Sequence, residues 1–185
     1  MPVNLDHIRQ VMDEADCLYP EQKIESVIQQ MGQAITERLR HSNPLVFSVM
    51  NGGMVLTGKL LTHMPFPLEA SYVHATRYRN QLRGGELDWK VRPTQDLTNR
   101  TVLIVDDILD EGYTLDAIVQ YCLSQGAAKV LTAVLVDKQH DRKARPGMKA
   151  DFCGVNIENR YIFGYGLDYK GYWRNANGIF AVKGL

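Results

Sequence analysis

The sequence has little that would commit it to an extracellular, membrane or nucleic-acid role. It holds three cysteines, Cys17, Cys122 and Cys153, an odd and widely spaced set. They match neither a disulfide framework nor a metal-ligand pattern, so they read as reduced, mostly packed thiols. There is no charge excess, since lysines plus arginines number 21 and acids number 21. A general nucleic-acid binder carries a basic surplus, so no such partner is expected, although a local basic site for a small anion stays open. No apolar run reaches the length of a membrane span and no signal-peptide core opens the chain, which makes the cytoplasm the expected address. Internal repeats, low-complexity tracts and linkers are also missing, so residues 1–185 are expected to form one domain.

What is present alternates between helical and extended patterns. Residues 1–40 read as helices: Asn4 caps a short amphipathic turn carrying Ile8, Val11, Met12 and Ala15, and after Pro20 the series Ile24, Val27, Ile28, Met31, Ile35, Leu39 recurs at helical spacing. Leu45–Met50 is a short apolar run that ends at Asn51-Gly52-Gly53, and Met54–His63 resumes a helical pattern. Strand, glycine turn, helix is the natural parse. Residues 68–79 form a further strand leading to a polar hairpin tip at Gly84-Gly85 and a return to Arg92, so a mobile loop is expected over about 76–92. Thr101–Val105 is the strongest strand, followed by Asp106-Asp107, a loop, a helix from about Thr114 to Gln125, and Gly126 as its stop. Val130–Val136 is another buried strand, and residues 151–185 are turn-rich and aromatic. Helices between fully apolar strands imply an α/β fold with a mostly parallel twisted sheet covered on both faces.

The segment Val102–Thr114 carries the chemistry. A buried strand delivers two adjacent carboxylates, Asp106 and Asp107, to its C-terminal edge, where ligands bind in open α/β sheets. The loop then opens a helix, so its backbone N–H groups converge on a point that suits a phosphate. A helix dipole supplies roughly 0.3–1 kcal/mol. Each hydrogen bond to a charged oxygen adds about 1.5–3 kcal/mol, so three or four amide and hydroxyl donors, Thr114 among them, outweigh the dipole. The carboxylates would repel a phosphate, which leaves them hydroxyl groups, a proton or a metal ion as partners. Paired acids at a strand end also occur as plain surface caps; the third carboxylate at Asp110, together with Gly112 and Thr114, favours the phosphate site.

This segment resembles the phosphoribosyl-pyrophosphate signature of type I phosphoribosyltransferases, and other parts resemble the hypoxanthine-guanine branch in the right order over roughly residues 45–174. Asn51-Gly52-Gly53 resembles the pyrophosphate loop, Val136-Asp137-Lys138 the purine-reading lysine segment, and Tyr161–Tyr169 the base-stacking segment. The resemblance implies that fold, with a small hood formed by residues 151–185, and transfer of the 5-phosphoribosyl group to hypoxanthine or guanine in purine salvage. It implies that Asp106 and Asp107 hold the ribose hydroxyls directly or through Mg²⁺, and that Asp110 serves as general base near the purine N7. Glu111, Gly112, Tyr113 and Thr114 would cradle the 5′-phosphate, while Asn51, Gly52 and Arg174 would contact pyrophosphate. Lys138 would donate to the exocyclic O6, Tyr161 would stack on the base, Ile162 would offer backbone contacts, and Asp168 would bind a second Mg²⁺. A homodimer or homotetramer is implied as well.

Two features depart from that pattern. Asn51 stands where many relatives carry lysine or serine, in a loop that often holds a cis peptide, here Met50–Asn51. The expected mobile loop lacks the Ser-Tyr pair common in that branch and offers Arg77, Arg79 and Arg83, which either supply charge to pyrophosphate or form a solvated hairpin face. Two rival functions keep the fold: a xanthine-preferring enzyme, and a non-catalytic regulator that senses phosphoribosyl pyrophosphate.

Overall fold

In a computed structural model describing residues 4–77 and 87–184, the apolar runs assemble into one six-stranded sheet. Its strands are β2 (Leu45–Val49), β3 (Glu69–Arg77), β4 (Leu87–Val91), β5 (Thr101–Leu109), β6 (Lys129–Gln139) and β7 (Phe152–Glu158), in the order β4-β3-β2-β5-β6-β7. All neighbours are parallel except β3 and β4, which form the antiparallel edge pair. Four helices join them: α1 (Leu5–Glu14), α2 (Glu21–Leu39), α3 (Gly53–Thr62) and α4 (Tyr113–Ser124). The two-residue period of the strands sorts their side chains onto opposite faces. Leu103, Val105, Leu131 and Ala133 pack with α2 and α3, whereas Phe47, Val102, Ile104 and Val134 pack with Leu115, Ile118 and Cys122 of α4. Asn4 caps α1 as expected, its side chain accepting from the N–H groups of Asp6 and His7.

A second, three-stranded sheet has the order β1-β9-β8, from β1 (Asp16–Pro20), β8 (Ile162–Phe163) and β9 (Gly178–Ala181). Here the structure corrects the sequence reading twice. Asp16–Pro20 is a strand inside the expected helical region, because Asp16 and Cys17 pair antiparallel with Ala181 and Phe180. Phe152–Glu158, placed with the C-terminal segment, is instead the last strand of the large sheet, paired in parallel with β6. The cysteines differ too: Cys122 is buried, but Cys17 and Cys153 are exposed on the edge strands β1 and β7. Most of the expected mobile loop, with Arg79, Arg83 and the side chain of Arg77, lies outside the described residues.

The two sheets meet through α2. Glu25 accepts hydrogen bonds from Lys59 of α3 and from the hydroxyl of Tyr165 in the loop after β8. These donors, Lys59 before Tyr165, hold its carboxyl below the usual value of 4.5. A carboxyl with a depressed folded pKa stabilises fully above its unfolded value and loses that contribution as pH falls through the folded one. Glu25→Gln is therefore expected to lower the melting temperature at neutral pH and to narrow its gap to the parent as the solution is acidified below 4.5. Thermal melts of both proteins across that range check this; a gap that widens in acid would reject it.

Candidate active site

Neighbouring strands β2 and β5 send their following helices to opposite faces of the sheet, so a crevice opens at their C-terminal ends. A cleft of about 510 Å³ occupies it. The turn after β2 contributes Asn51 and Gly52, following a cis peptide between Met50 and Asn51. Gly52 is required by closeness: a Cβ there would run into the carboxylate of Asp107. The opposite wall is Asp106, Asp107 and Asp110, then Glu111, Gly112, Tyr113 and Thr114 where α4 begins. Both acids of the pair still belong to β5, which runs two residues beyond them to Leu109 rather than stopping at Val105. Gly112 precedes α4 with φ +86, a left-handed turn that aims the first helical amides at the cleft.

A second cavity of about 260 Å³ adjoins the first, sharing Asp107, Ile108, Asp110 and Asp168 with it. Lys138, Tyr161, Ile162 and Leu167 complete its wall. Ile162 is buried in β8 with its register partner Ala181, while Tyr161 is 43% exposed and meets Tyr169 edge-on at 5.5 Å between centroids. Every residue singled out in the sequence thus lines one cavity or the other, loop arginines aside.

Charges are arranged in three groups. Burial pushes the Asp106 carboxyl well above its usual range, and the charge of Asp107 raises it further; burial raises Asp107 too, against the lowering pull of a hydrogen bond with Asp106 and of Arg174. Arg174 spans the cleft mouth, 2.6 Å from Asp168, 3.8 Å from Asp107 and donating to the carbonyl of Gly166 at 2.6 Å. Asp110 is gripped on both oxygens, by Lys138 Nζ at 3.1 Å and by His140 Nε2 at 2.6 Å. Partial burial raises its pKa, but those two donors outweigh it and the carboxyl lies below its usual value.

Three residues escaped the sequence reading. His140 stands one residue beyond the end of β6, two after Lys138, and that close spacing to the lysine was the available signal. Arg142 lines the larger cleft. Lys143 donates to the carbonyls of Leu109 and Asp110, each at 2.8 Å, and to the carboxylate of Asp137 at 2.7 Å, so it ties the end of β5 to β6. No spacing announces that contact.

A doubly wound sheet with paired acids, a glycine turn and a helix N-terminus at its switch point is the architecture of a transferase that handles a sugar phosphate. The chain belongs to the phosphoribosyltransferase family: the family model for the phosphoribosyl transferase domain matches residues 14–170. It is 31% identical to the hypoxanthine-guanine-xanthine phosphoribosyltransferase of Tritrichomonas foetus over 94% of each chain. The hypoxanthine-guanine phosphoribosyltransferase of Bacillus subtilis is 29% identical over 90% of this chain and 92% of its own. A solved hypoxanthine-guanine-xanthine phosphoribosyltransferase superposes with a TM-score of 0.83 at 29% identity, covering 92% of this chain and 99% of that one. The protein is an enzyme that transfers pentosyl groups, and none of its described helices is long and apolar enough to cross a membrane.

Proposed function

We propose that this phosphoribosyltransferase carries the 5-phosphoribosyl group of phosphoribosyl pyrophosphate to hypoxanthine and guanine, giving IMP or GMP and pyrophosphate in purine salvage. The observation that carries this reading is the pairing of Lys138 with Asp110 in the smaller cavity, a cation and a base within one pocket adjoining the larger cleft. A lysine can only donate, so it suits the oxygen at the 6-position and opposes the amino group of adenine. Lys138 donates to Asp110, and a 6-oxopurine would offer it a second acceptor. Tyr161 covers the base, and Ile162 supplies backbone at its edge.

In the larger cleft, the amides of residues 111–114 with the Thr114 hydroxyl take the 5′-phosphate, and Asp106 with Asp107 takes the ribose hydroxyls. As the bond from ribose C1 to pyrophosphate breaks, negative charge grows on the leaving group, and Arg174 beside Asn51 and Gly52 meets it there. Asp110 accepts the purine proton as the new C–N bond forms. Among the described residues no group of three or more metal-ligand side chains forms a closed cage. Mg²⁺ takes one or two carboxylates and completes its shell with water and phosphate oxygens. Asp106 and Asp107 would hold one ion and Asp168 a second, and when bound the metal would neutralise charge on the pyrophosphate. A homodimer or homotetramer, and a cytoplasmic location, complete the proposal.

The test is to supply purified protein with phosphoribosyl pyrophosphate, Mg²⁺ and, separately, hypoxanthine, guanine, xanthine and adenine, and to quantify nucleotide. Product from hypoxanthine or guanine, abolished by EDTA, is expected. Since a similar protein and a similar solved structure carry xanthine in their names, a dominant xanthine product would move the specificity to the 2-position. No product from any base despite phosphoribosyl pyrophosphate binding would replace the enzyme with a sensor. Lys138→Ala is expected to cost kcat/KM for hypoxanthine roughly 10- to 150-fold, the worth of one charged hydrogen bond of about 1.5–3 kcal/mol. An unchanged base profile in that variant would remove the O6 role.

A further inference from the structure

We infer that His140 is a positioning residue for the proton acceptor: its Nε2–H holds one oxygen of Asp110 so that the other faces the purine. This rests on the reaction proposed above and adds a residue to it. Lys138, which lines the smaller cavity, takes Oδ2 of Asp110, whereas the His140 side chain, only 4% exposed and in neither cavity wall, takes Oδ1 from behind. The two oxygens are therefore not equivalent. One looks at substrate and the other is anchored in the protein.

The other ring nitrogen decides the histidine's form. His140 Nδ1 accepts the backbone N–H of Arg142 at 3.1 Å, so it carries no proton and Nε2 must be the donor. The ring is thus a neutral donor locked between a turn of its own chain and a carboxylate. Neutrality suits the task, because a second cation on Asp110 would leave the carboxylate too weak a base to accept a proton. The lysine is the donor that can leave, drawn to the oxygen of the base. His140 then keeps Asp110 ionised and aimed while the proton arrives. The charged groups around Asp110 are Lys138, Arg142 and Lys143 from β6 and the turn after it, Asp107 and Glu111 from its own segment, and Asp168 from the loop after β8. All of these remain when His140 is replaced, so a change in titration reports the lost hydrogen bond.

The experiment measures kcat/KM for hypoxanthine at saturating phosphoribosyl pyrophosphate and Mg²⁺, from about pH 3 to about pH 9, in the parent, His140→Ala and His140→Gln. Losing a donor to the ionised form raises the pKa of Asp110. The acid limb of His140→Ala is therefore expected to move up by about one unit, with turnover down about tenfold and KM for phosphoribosyl pyrophosphate unchanged. The amide of His140→Gln can donate to the same oxygen and is expected to recover most of both effects. An acid limb that stays in place in His140→Ala overturns the inference. So does a loss spread equally over KM for phosphoribosyl pyrophosphate and turnover that glutamine does not repair, the mark of a merely structural residue. If the parent makes no nucleotide, the reaction has failed on its own account. The carboxyl titration of Asp110 by carbon-13 NMR in the three proteins then still decides: an upward shift in His140→Ala alone supports the contact, and coincident curves reject it.

Discussion

Asp110→Asn is expected to lower kcat for nucleotide formation by about 10²–10⁴-fold while leaving KM for either substrate within about threefold. The asymmetry follows from geometry. Asparagine has the shape of aspartate, and its carbonyl oxygen still accepts from one of the two donors that grip Asp110. Its amide nitrogen must face the other, so one good contact becomes donor against donor. On the proposed roles, ground-state binding of the base rests on Tyr161, Ile162 and Lys138, which line the smaller cavity and all remain. The missing ability to take a proton is felt only as the new bond forms, and such a loss appears in kcat. Steady-state kinetics with each substrate varied in turn check this. Equal losses in kcat and binding would mean that Asp110 holds the base and does not receive its proton.

The second large effect is on stability. Lys143→Met is expected to destabilise the fold by about 3–5 kcal/mol, because it strands a buried carboxylate. In the parent, the side chains of Lys143 and Asp137 are 11% and 9% exposed, and the ammonium also satisfies two backbone carbonyls at the end of β5. Removing it leaves the Asp137 charge and both carbonyls without that donor. For a chain of this size the melting temperature should fall by roughly 6–20 °C. The double variant Asp137→Asn with Lys143→Met is expected to recover part of the loss, since a neutral amide is far cheaper to bury than a charge. Thermal or urea unfolding of the parent, both single variants and the double variant closes the cycle. A Lys143→Met protein as stable as its parent would show the pair to be dispensable.

The site was legible where its residues are consecutive and locally determined. Asp106–Thr114 announced itself because a strand, one left-handed glycine and a helix start force its side chains and amides to converge. Lys138 and Tyr161 were placed by resemblance, and the structure brings both to the smaller cavity. His140, Arg142 and Lys143 were missed for a different reason. Their partners sit on other elements, Asp110 just after β5 for His140 and Lys143 and the Asn159 side chain just after β7 for Arg142, and no local pattern encodes which strands will be neighbours. In the fold, Leu45–Val49 and Thr101–Val105 were plain because each is an apolar run broken by a single hydroxyl residue, Ser48 or Thr101. Asp16–Pro20 was not, because a short, mostly exposed strand has no period of its own and is defined only by its partner β9.

That pairing of β1 with β9 orders events on the ribosome. The turn after β2 and the stretch from β5 into α4, which line one part of the larger cleft, precede Asp168 and Arg174 in the chain, so they can pack while the rest is still being made. The purine side cannot follow until Gly178–Ala181 emerges to fill the gap between β1 and β8. A nascent chain stalled before β9 would carry a formed cradle for the sugar phosphate and an unfinished seat for the base.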